Sequence, residues 1–159
     1  MYNNEFMIEA ADSAKFGSKH HMGGPFGAVI VKEGKVVTVQ HNSVLLTNDP
    51  TSHAEVNAIR AAAINLGTYD LSDCELYATG FPCPMCLGAI MWAGIKKVYV
   101  SGTLEDAEKI GFKDRKIYDA IDKLNKLCYN INVLDIEFQN NELAKTLYSE
   151  YEKQEGIIY

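Results

Sequence analysis

The stretch DPTSHAEVNAIRAA, residues 49–62, joins a group of turn-forming residues to an amphipathic helical pattern. Apolar residues recur at helical spacing along it, which predicts a helix that ends near Gly67. Ser52 followed three residues later by Glu55 has the pattern of a capping box, which needs no catalytic role. A lone histidine such as His53 is likewise more often a structural residue than a ligand. The stretch therefore predicts a helix start and leaves the roles of His53 and Glu55 open.

Helical and strand patterns alternate on both sides of this helix. The predicted elements are a helix at residues 3–19, a two-stranded hairpin at 26–41 that turns at Glu33 and Gly34, a loop at 42–50, the helix described above, a strand at 74–79, a helix at 82–94, a strand at 96–102, a polar segment at 104–126, a strand at 131–138 and a helix from 141 to about 154. Strand, helix, strand, helix, strand over residues 35–101 is the pattern of parallel crossovers, here following an antiparallel hairpin. We therefore predict an α/β fold with a mixed sheet covered by helices.

The composition favours one globular domain spanning residues 1–159. The chain has 47% hydrophobic and 10% aromatic residues, which is enough to bury a core without disulfides. No run approaches the roughly 18 apolar residues of a membrane span, and the first residues lack the pattern of a secretory signal. We expect a cytoplasmic protein with no membrane partner, whose four cysteines stay reduced and free to bind metal.

The charge balance bears on the kind of partner. The chain carries a formal net charge of -6, and its lysines and arginines are scattered rather than gathered in a stripe. A negative protein is not attracted over long range to a phosphate backbone. Nucleic acid is therefore a disfavoured partner.

A second helix start, PCPMC at residues 82–86, carries two cysteines three residues apart. That spacing places both sulfurs on one face of a helical turn, and the positive end of a helix lowers thiol pKa values and favours thiolates. Pro84 suits the first helical position, where its missing N–H would have had no partner. If parallel strands precede both helices, the two helix starts lie at one edge of the sheet. His53, Cys83 and Cys86 would then converge on one metal ion.

A donor set of one imidazole and two thiolates suits zinc. Structural zinc is normally held by four protein ligands, whereas catalytic zinc keeps three and a water. Cys74 and Cys128 lack the local spacing expected of a fourth ligand. Three further histidines are alternative fourth ligands that no spacing requires: His20, His21 and His41. A carboxylate beside such a metal can take a proton from the bound water, whose pKa falls toward about 7, and Glu55 is suited to that task.

The sequence H-x-E that starts at His53, followed by P-C-x-x-C, is the signature of zinc deaminases, and the chain resembles the cytidine deaminase superfamily. The resemblance implies a three-layer α/β/α fold with a mixed five-stranded sheet and one Zn²⁺ per chain. It implies that His53, Cys83 and Cys86 bind the zinc. It also implies that Glu55 carries protons during the hydrolytic removal of an exocyclic amine from a ring.

Four longer segments are similar to the small bacterial guanine deaminases of that superfamily. They are GGPFGAVIVK (residues 23–32), NDPTSHAEVNAIRAA (48–62), PCPMCLGAIMWA (82–93) and GFKDRKIYDAI (111–121). The last segment counts most, because tRNA adenosine deaminases and cytosine deaminases share the zinc motif without it. The resemblance implies a free purine base as substrate and the hydrolysis of guanine to xanthine and ammonia.

The same resemblance implies a set of substrate-binding residues: Phe26, Asn42, Ala54, Asp114 and Tyr159. The Asn42 amide would hydrogen-bond the purine, Phe26 would pack against the base, and Asp114 would supply a second carboxylate. Phe26 is alternatively a core aromatic residue, and Asp114 alternatively a solvated acid in a charged loop. The C-terminal segment that ends in Tyr159 would cross to the partner in a homodimer with swapped tails, although its apolar end suits packing on its own chain equally well.

One position departs from the family pattern. Phe81 stands where guanine deaminases and tRNA deaminases generally carry a glutamate before the proline. That glutamate is neither a ligand nor the proton carrier, so its loss should spare the chemistry and change details of substrate contact or of hydrogen bonds around the site. The alternative functions are deamination of another free base such as cytosine, deamination of adenosine in tRNA, and a non-catalytic zinc-stabilised domain. The acidic charge disfavours tRNA, and Glu55 disfavours a non-catalytic domain.

Overall fold

A computed structural model of the chain describes residues 2–125, 135–139 and 141–154. The elements along the described chain are α1 (Asn4–Lys19), β1 (Gly27–Lys32), β2 (Lys35–His41), α2 (Val44–Thr47), α3 (Ala54–Leu66), β3 (Cys74–Ala78), α4 (Pro84–Trp92), β4 (Lys97–Val100), α5 (Leu104–Lys109), α6 (Asp114–Asn125), β5 (Asp135–Phe138) and α7 (Asn141–Lys153). None of the helices within these ranges is long and apolar enough to cross a membrane.

The strand directions bring two helix starts to the same edge of the sheet. The described strands pair in the order β2-β1-β3-β4-β5. Strand β1 is antiparallel to both β2 and β3, whereas β3, β4 and β5 run parallel. Strands β2 and β3 therefore run in the same direction, so that α3, which follows β2, and α4, which follows β3, begin at one edge. This arrangement confirms the predicted mixed sheet.

The hairpin turn between β1 and β2 lies where the sequence predicts it. Glu33 and Gly34 both have positive φ angles, 50° and 72°. Two consecutive residues with positive φ match the right-handed twist of the flanking strands, which makes this kind of turn favourable in a two-residue hairpin. The turn sends β2 back along β1 and ends it at His41, beside the functional site.

The helices cover the sheet in two layers. Alternate strand residues, among them Ile30 and Leu76, pack on one face together with residues of α3 and α4. The residues between them, among them Val29 and Tyr77, pack on the opposite face against α1. Helix α7 lies beside α1 in the same outer layer. The fold is therefore the three-layer α/β/α arrangement that was predicted.

The structure corrects the predicted elements in two places. The loop at 42–50 contains the short helix α2, and the polar segment at 104–126 contains both α5 and α6. Helix α5 starts at a capping box in which Thr103 and Asp106 bond each other's main-chain N–H groups. The many charges in this segment conceal its helical pattern. Of the strand predicted at 131–138, residues 135–138 form β5, and residues 131–134 lie outside the described part of the chain.

Candidate metal centre and active site

Two helix starts supply the metal donors. His53 is the N-cap residue of α3, and its side chain caps no main-chain group of the helix. Cys83 is the N-cap residue of α4, with Pro84 at the first helical position and Cys86 in the first turn. The Cys83 sulfur accepts a hydrogen bond from the main-chain N–H of Cys86 at 3.5 Å. Since α3 and α4 begin at the same edge of the sheet, the three side chains meet there, as the sequence predicts.

The three donor atoms have the spacing of a zinc coordination shell. His53 Nδ1 lies 3.6 Å from the sulfur of Cys83 and 3.6 Å from that of Cys86, and the two sulfurs are 3.5 Å apart. With bonds of about 2.3 Å to sulfur and about 2.1 Å to nitrogen, tetrahedral zinc separates two sulfurs by about 3.8 Å and sulfur from nitrogen by about 3.6 Å. The donor set and its spacing therefore fit one zinc ion.

The alternative fourth ligands lie elsewhere. Among the described residues, His53, Cys83 and Cys86 are the one group of three or more potential donors close enough to share a metal ion. Cys74 begins β3, at the opposite end of that strand from Cys83, and burial raises the pKa of its thiol to about 11. The ring nitrogen of His41 bonds a main-chain carbonyl. Cys128 lies outside the described residues. The three protein ligands found among the described residues leave a position for water, as catalytic zinc requires.

In the metal-free protein, the pKa of one cysteine donor is lowered, whereas the pKa values of the other cysteine and of His53 are raised. A hydrogen bond from the Cys86 thiol, together with His53, outweighs burial and lowers the pKa of Cys83 to about 4. The same hydrogen bond to Cys83, together with burial, raises the pKa of Cys86. Although burial alone would lower it, the hydrogen bond to Cys83 and the charge of Glu55 raise the pKa of His53 to about 9. Zinc binding must therefore displace protons from Cys86 and His53.

Glu55 lies beside the donors and is 7% exposed. Its Oε2 atom is 3.5 Å from the sulfur of Cys86. Burial, followed by the negative charge of Cys83, raises the pKa of Glu55 to about 7. A carboxyl group with a pKa near neutrality can both accept and return a proton at physiological pH, which is what a proton carrier needs.

The capping box predicted from Ser52 and Glu55 is wrong. The N-cap of α3 is His53, one residue later than expected. The Ser52 hydroxyl instead donates to Asp49 Oδ2 at 2.9 Å and accepts from Thr47 Oγ1 at 3.2 Å. Ser52 therefore belongs to the turn before the helix, and the Glu55 carboxyl group lies at the metal donors.

A small cavity opens beside the metal donors. Its lining residues are Phe26, Asn42, His53, Glu55, Phe81, Cys83, Phe112 and Asp114. A wider cleft along the start of α6 adjoins it and shares part of this lining. The cavity therefore combines apolar aromatic walls with one amide and two carboxyl groups, next to the atoms that fit a zinc ion.

Asn42 is fixed in the cavity wall by its neighbours. The residue is 1% exposed, and its Oδ1 accepts the main-chain N–H of Val44 at 3.1 Å. Its own N–H donates to the carbonyl of Phe26 at 2.9 Å. Gly23 lies so close to the Asn42 side chain that a Cβ at position 23 would collide with Oδ1 of Asn42. With Oδ1 held by Val44, the amide NH2 group is the one that can donate into the cavity.

The structure brings together three of the five predicted substrate-binding residues. Phe26, Asn42 and Asp114 all line the cavity. Burial and the negative charge of Cys83 raise the pKa of Asp114 to about 6. Asp114 is therefore a partly buried residue of the cavity wall rather than a solvated acid in a loop. Ala54 is fully buried, packs in the core and is not among the residues that line the cavity. Tyr159 lies outside the described residues.

Two aromatic features of the site escaped the sequence analysis. Phe112 lines the cavity and is 6% exposed, although only Asp114 was singled out from its segment. Tyr118 of α6 donates from its hydroxyl to the carbonyl of Pro82 at 2.5 Å, and its ring centroid is 6.2 Å from that of Phe81. These contacts attach α6 to the segment that carries the cysteines. No local pattern in residues 112–118 marks these two aromatic residues.

The fold and the site together define a class of protein. A three-layer α/β/α domain with an imidazole and two thiol donors at two adjacent helix starts, and a buried carboxyl group beside them, is a zinc-dependent hydrolytic deaminase. A family model described as the cytidine and deoxycytidylate deaminase zinc-binding region matches residues 1–102. The chain belongs to this family.

Individual relatives agree with this family. The chain is 50% identical to the guanine deaminase of Bacillus subtilis (strain 168) over 123 residues, which are 77% of this chain and 79% of the relative. It is 37% identical over 123 residues to a tRNA-specific adenosine deaminase of Buchnera aphidicola subsp. Schizaphis graminum, covering 77% of each chain.

Solved structures match over nearly the whole chain. The X-ray structure of guanine deaminase from Bacillus subtilis is similar with a TM-score of 0.74 and 41% identity, covering 99% of this chain and 96% of that one. A guanine deaminase from Nitrosomonas europaea shares the fold with a TM-score of 0.79 and 23% identity, covering 96% of this chain and 85% of that one.

Proposed function

We propose that the protein is a guanine deaminase, which hydrolyses guanine to xanthine and ammonia. One observation carries the substrate assignment. The segment at 111–121, which resembles guanine deaminases, contributes Phe112 and Asp114 to the same cavity as the metal donors and Glu55. The 50% identity to the Bacillus subtilis guanine deaminase over most of both chains supports the same substrate.

The cavity has groups suited to a purine that carries donors and acceptors on its edges. The Asn42 amide NH2 group donates to an acceptor atom of the base, and the Asp114 carboxyl group accepts from its N–H groups. The aromatic walls, Phe26 among them, bury the faces of the ring. Together these contacts orient the ring so that the carbon bearing the amine faces the metal donors.

The metal site and Glu55 divide the chemistry between them. His53, Cys83 and Cys86 would hold zinc, which when bound would supply a Lewis acid that activates water. Glu55 takes a proton from the attacking water at its buried carboxyl group. It passes that proton to a ring nitrogen, then takes the second proton from the hydroxyl group now on the ring carbon and passes it to the departing amine, so that water and guanine give xanthine and ammonia. Its burial beside the metal donors, where Oε2 lies 3.5 Å from the Cys86 sulfur, places the same carboxyl group within reach of both transfers.

The setting of this activity is part of the proposal. We propose one domain over residues 1–159, located in the cytoplasm, that acts in purine metabolism through guanine catabolism. We also propose a homodimer, whose C-terminal segments are swapped. The net charge of -6 supports a free base rather than tRNA as substrate. The relative from Buchnera, a tRNA-specific adenosine deaminase, makes tRNA the competing substrate to exclude.

Ammonia release from a panel of aminated rings tests the assignment. Zinc-loaded protein is incubated with guanine, cytosine, adenine and a tRNA anticodon stem-loop that contains adenosine. We expect rapid ammonia release from guanine and formation of an equal amount of xanthine. Turnover of cytosine or of the stem-loop with guanine untouched would replace guanine as the substrate. One bound zinc per chain with no turnover of any of them would favour a non-catalytic domain.

A further inference from the structure

We propose that Tyr148 and Tyr151 of α7 are positioning residues that hold the aromatic walls of the base-binding cavity, Phe26 and Phe112. Neither tyrosine is among the residues that line the cavity. The proposal rests on the proposed function insofar as the cavity binds a purine base. It assigns to the C-terminal helix a role in substrate binding that is separate from the metal and from proton transfer.

The rings of the two wall residues, Phe26 and Phe112, are in contact. The ring centroids of Phe26 and Phe112 are 4.8 Å apart, with an interplanar angle of 82°. This edge-to-face arrangement is a favourable geometry for an aromatic pair. Because each ring contacts the other, a shift of either one changes the width of the slot between the cavity walls.

Tyr148 supports Phe26 from behind. It is 2% exposed, and its ring centroid is 5.7 Å from that of Phe26. Its hydroxyl donates to the carbonyl of Thr79 at 3.4 Å. The Thr79 hydroxyl oxygen in turn accepts the main-chain N–H of Gly27 at 3.0 Å. Since Gly27 follows Phe26 and begins β1, Tyr148 contacts Phe26 directly through its ring and is linked through Thr79 to the residue after it.

A glycine beside this contact leaves room for it. A Cβ at Gly80 would lie 2.8 Å from the Tyr148 hydroxyl oxygen and 3.1 Å from Phe26 Cδ1. A Cβ at Gly102 would collide with the same hydroxyl. The chain therefore comes close to the Tyr148 hydroxyl at two points, which fixes where the tyrosine ring, and with it Phe26, can lie.

Tyr151 supports the other wall. It is 2% exposed and lies one helical turn after Tyr148 on α7. Its ring centroid is 6.0 Å from that of Phe112, and the two residues belong to one buried cluster with Ala107. The two tyrosines therefore present adjacent rings of one helix to the two walls.

The metal donors depend on different elements. His53 and the cysteines lie at the starts of α3 and α4, which pack against the sheet face opposite to α1 and α7. Loss of a tyrosine ring should therefore weaken the binding of the base and leave the positions of zinc and Glu55 unchanged. A loss of that kind appears in KM and in the dissociation constant of the base, with little change in kcat.

Tyr148→Leu is the variant that tests this role. We expect the KM for guanine to rise about tenfold with kcat within about twofold and zinc content unchanged. The dissociation constant of guanine, measured by equilibrium dialysis on protein that also carries Glu55→Gln, should rise by the same factor. Tyr148→Phe keeps the ring that packs on Phe26 but loses the hydrogen bond to Thr79, so it should restore most, though not all, of both values.

Leu147→Ala is the matched control. Leu147 is 5% exposed on the same helix and faces the groove between α1 and α7. It should lower the melting temperature at least as much as Tyr148→Leu does and leave the KM unchanged. The proposal is overturned if Leu147→Ala raises the KM equally, if Tyr148→Leu leaves both constants unchanged, or if Tyr148→Phe is as impaired as Tyr148→Leu.

A second variant serves if Tyr148→Leu does not fold. Gly80→Ala places a methyl group against the Tyr148 hydroxyl and Phe26. It should raise the KM for guanine, and adding Tyr148→Phe should relieve part of that rise; an increase that the second change does not relieve contradicts the proposal. Guanine binding without turnover by the intact protein would reject the proposed function alone. Absence of guanine binding would reject both proposals.

Discussion

At the scale of single residues, the site is a set of donors whose atoms already stand at zinc-binding distances. The nitrogen of His53 lies equally far, 3.6 Å, from the sulfurs of Cys83 and Cys86. Without a metal ion, two thiols and an imidazole at these distances share protons through hydrogen bonds. Burial, followed by the negative charge of Cys83, raises the pKa of Glu55 to about 7 in the metal-free protein. The proposed proton carrier therefore lies directly beside the metal donors.

Removal of a ligand should remove the metal. Cys83→Ser should weaken zinc binding by more than about 100-fold, because hydroxyl oxygen is a poor substitute for thiolate. Cys74→Ser is the matched control, since Cys74 is also buried, at 3% exposed, but lies outside the donor group. Zinc per chain is measured by atomic emission after dialysis. Loss of zinc from Cys74→Ser would mean that the site is closed by a fourth protein ligand and is structural.

Zinc binding should release protons in a predictable number. In the metal-free protein the pKa of His53 is raised to about 9 and that of Cys86 is raised as well, so both hold a proton at pH 7. We expect about two protons to be released per zinc ion at pH 7, and the affinity to fall as the pH is lowered. An indicator dye in weakly buffered solution measures the release. Zinc uptake without proton release would contradict this description of the donors.

At the scale of elements, two helix starts carry the site, and the turn before α3 determines where His53 stands. Asp49 accepts hydrogen bonds from the Thr51 N–H at 2.8 Å, the Thr51 hydroxyl at 2.7 Å and the Ser52 hydroxyl at 2.9 Å. The sequence rule for capping boxes assigns Ser52 to the helix because it considers only the spacing to Glu55. The Ser52 hydroxyl donates to the Asp49 carboxylate instead, and the helix begins one residue later, with His53 as its N-cap.

The turn should matter for the metal even though it contributes no ligand. Asp49→Ala removes three hydrogen bonds that orient the approach to His53, and we expect about a tenfold loss of zinc affinity. Asp70→Ala is the control. Asp70 makes a similar turn, accepting the Ser72 N–H at 2.9 Å, in the connection between α3 and β3. Competition with a chromogenic chelator measures both variants; equal zinc affinity in the two would contradict a positioning role for the turn.

The elements also show why part of the site was predictable. The two cysteines are three residues apart and His53 lies two residues before Glu55, so local spacing was sufficient to propose the donors. The cavity walls come from distant segments, which meet only because the sheet places β1, β3 and the start of α6 together. No local pattern marks Phe112 as a wall residue, and its role had to come from the structure. The helices α5 and α6 were missed because charged residues dominate their sequence.

At the scale of the whole molecule, the chain is an acidic protein whose one described metal-donor group lies at an edge of the sheet. The charge of -6 is consistent with a small substrate, for which no basic approach surface is needed. The site depends on the strand order rather than on any single motif. Strand β1 lies between β2 and β3 and is antiparallel to both, so β2 and β3 run in the same direction. The helices that follow them, α3 and α4, therefore begin at the same edge of the sheet. The C-terminal segment, residues 155–159, lies outside the described part of the chain.

The proposed exchange of C-terminal segments predicts an effect of their removal. Deletion of residues 157–159 should lower kcat/KM for guanine by about tenfold or more and leave zinc content unchanged, since the metal donors are all provided by α3 and α4. Sedimentation equilibrium of the intact and shortened chains reports the oligomeric state. Unchanged kinetics in the shortened chain would argue against a tail that closes the site, and a monomeric intact chain would argue against the homodimer.

The most direct test of the account is guanine turnover by Glu55→Gln, measured together with its zinc content. The substitution keeps the size of the side chain and removes its ability to carry a proton. We predict one zinc per chain, as in the intact protein, and a fall in kcat of at least about 1,000-fold. Zinc retained with turnover within about tenfold of the intact protein would contradict the assignment of Glu55 as the proton carrier.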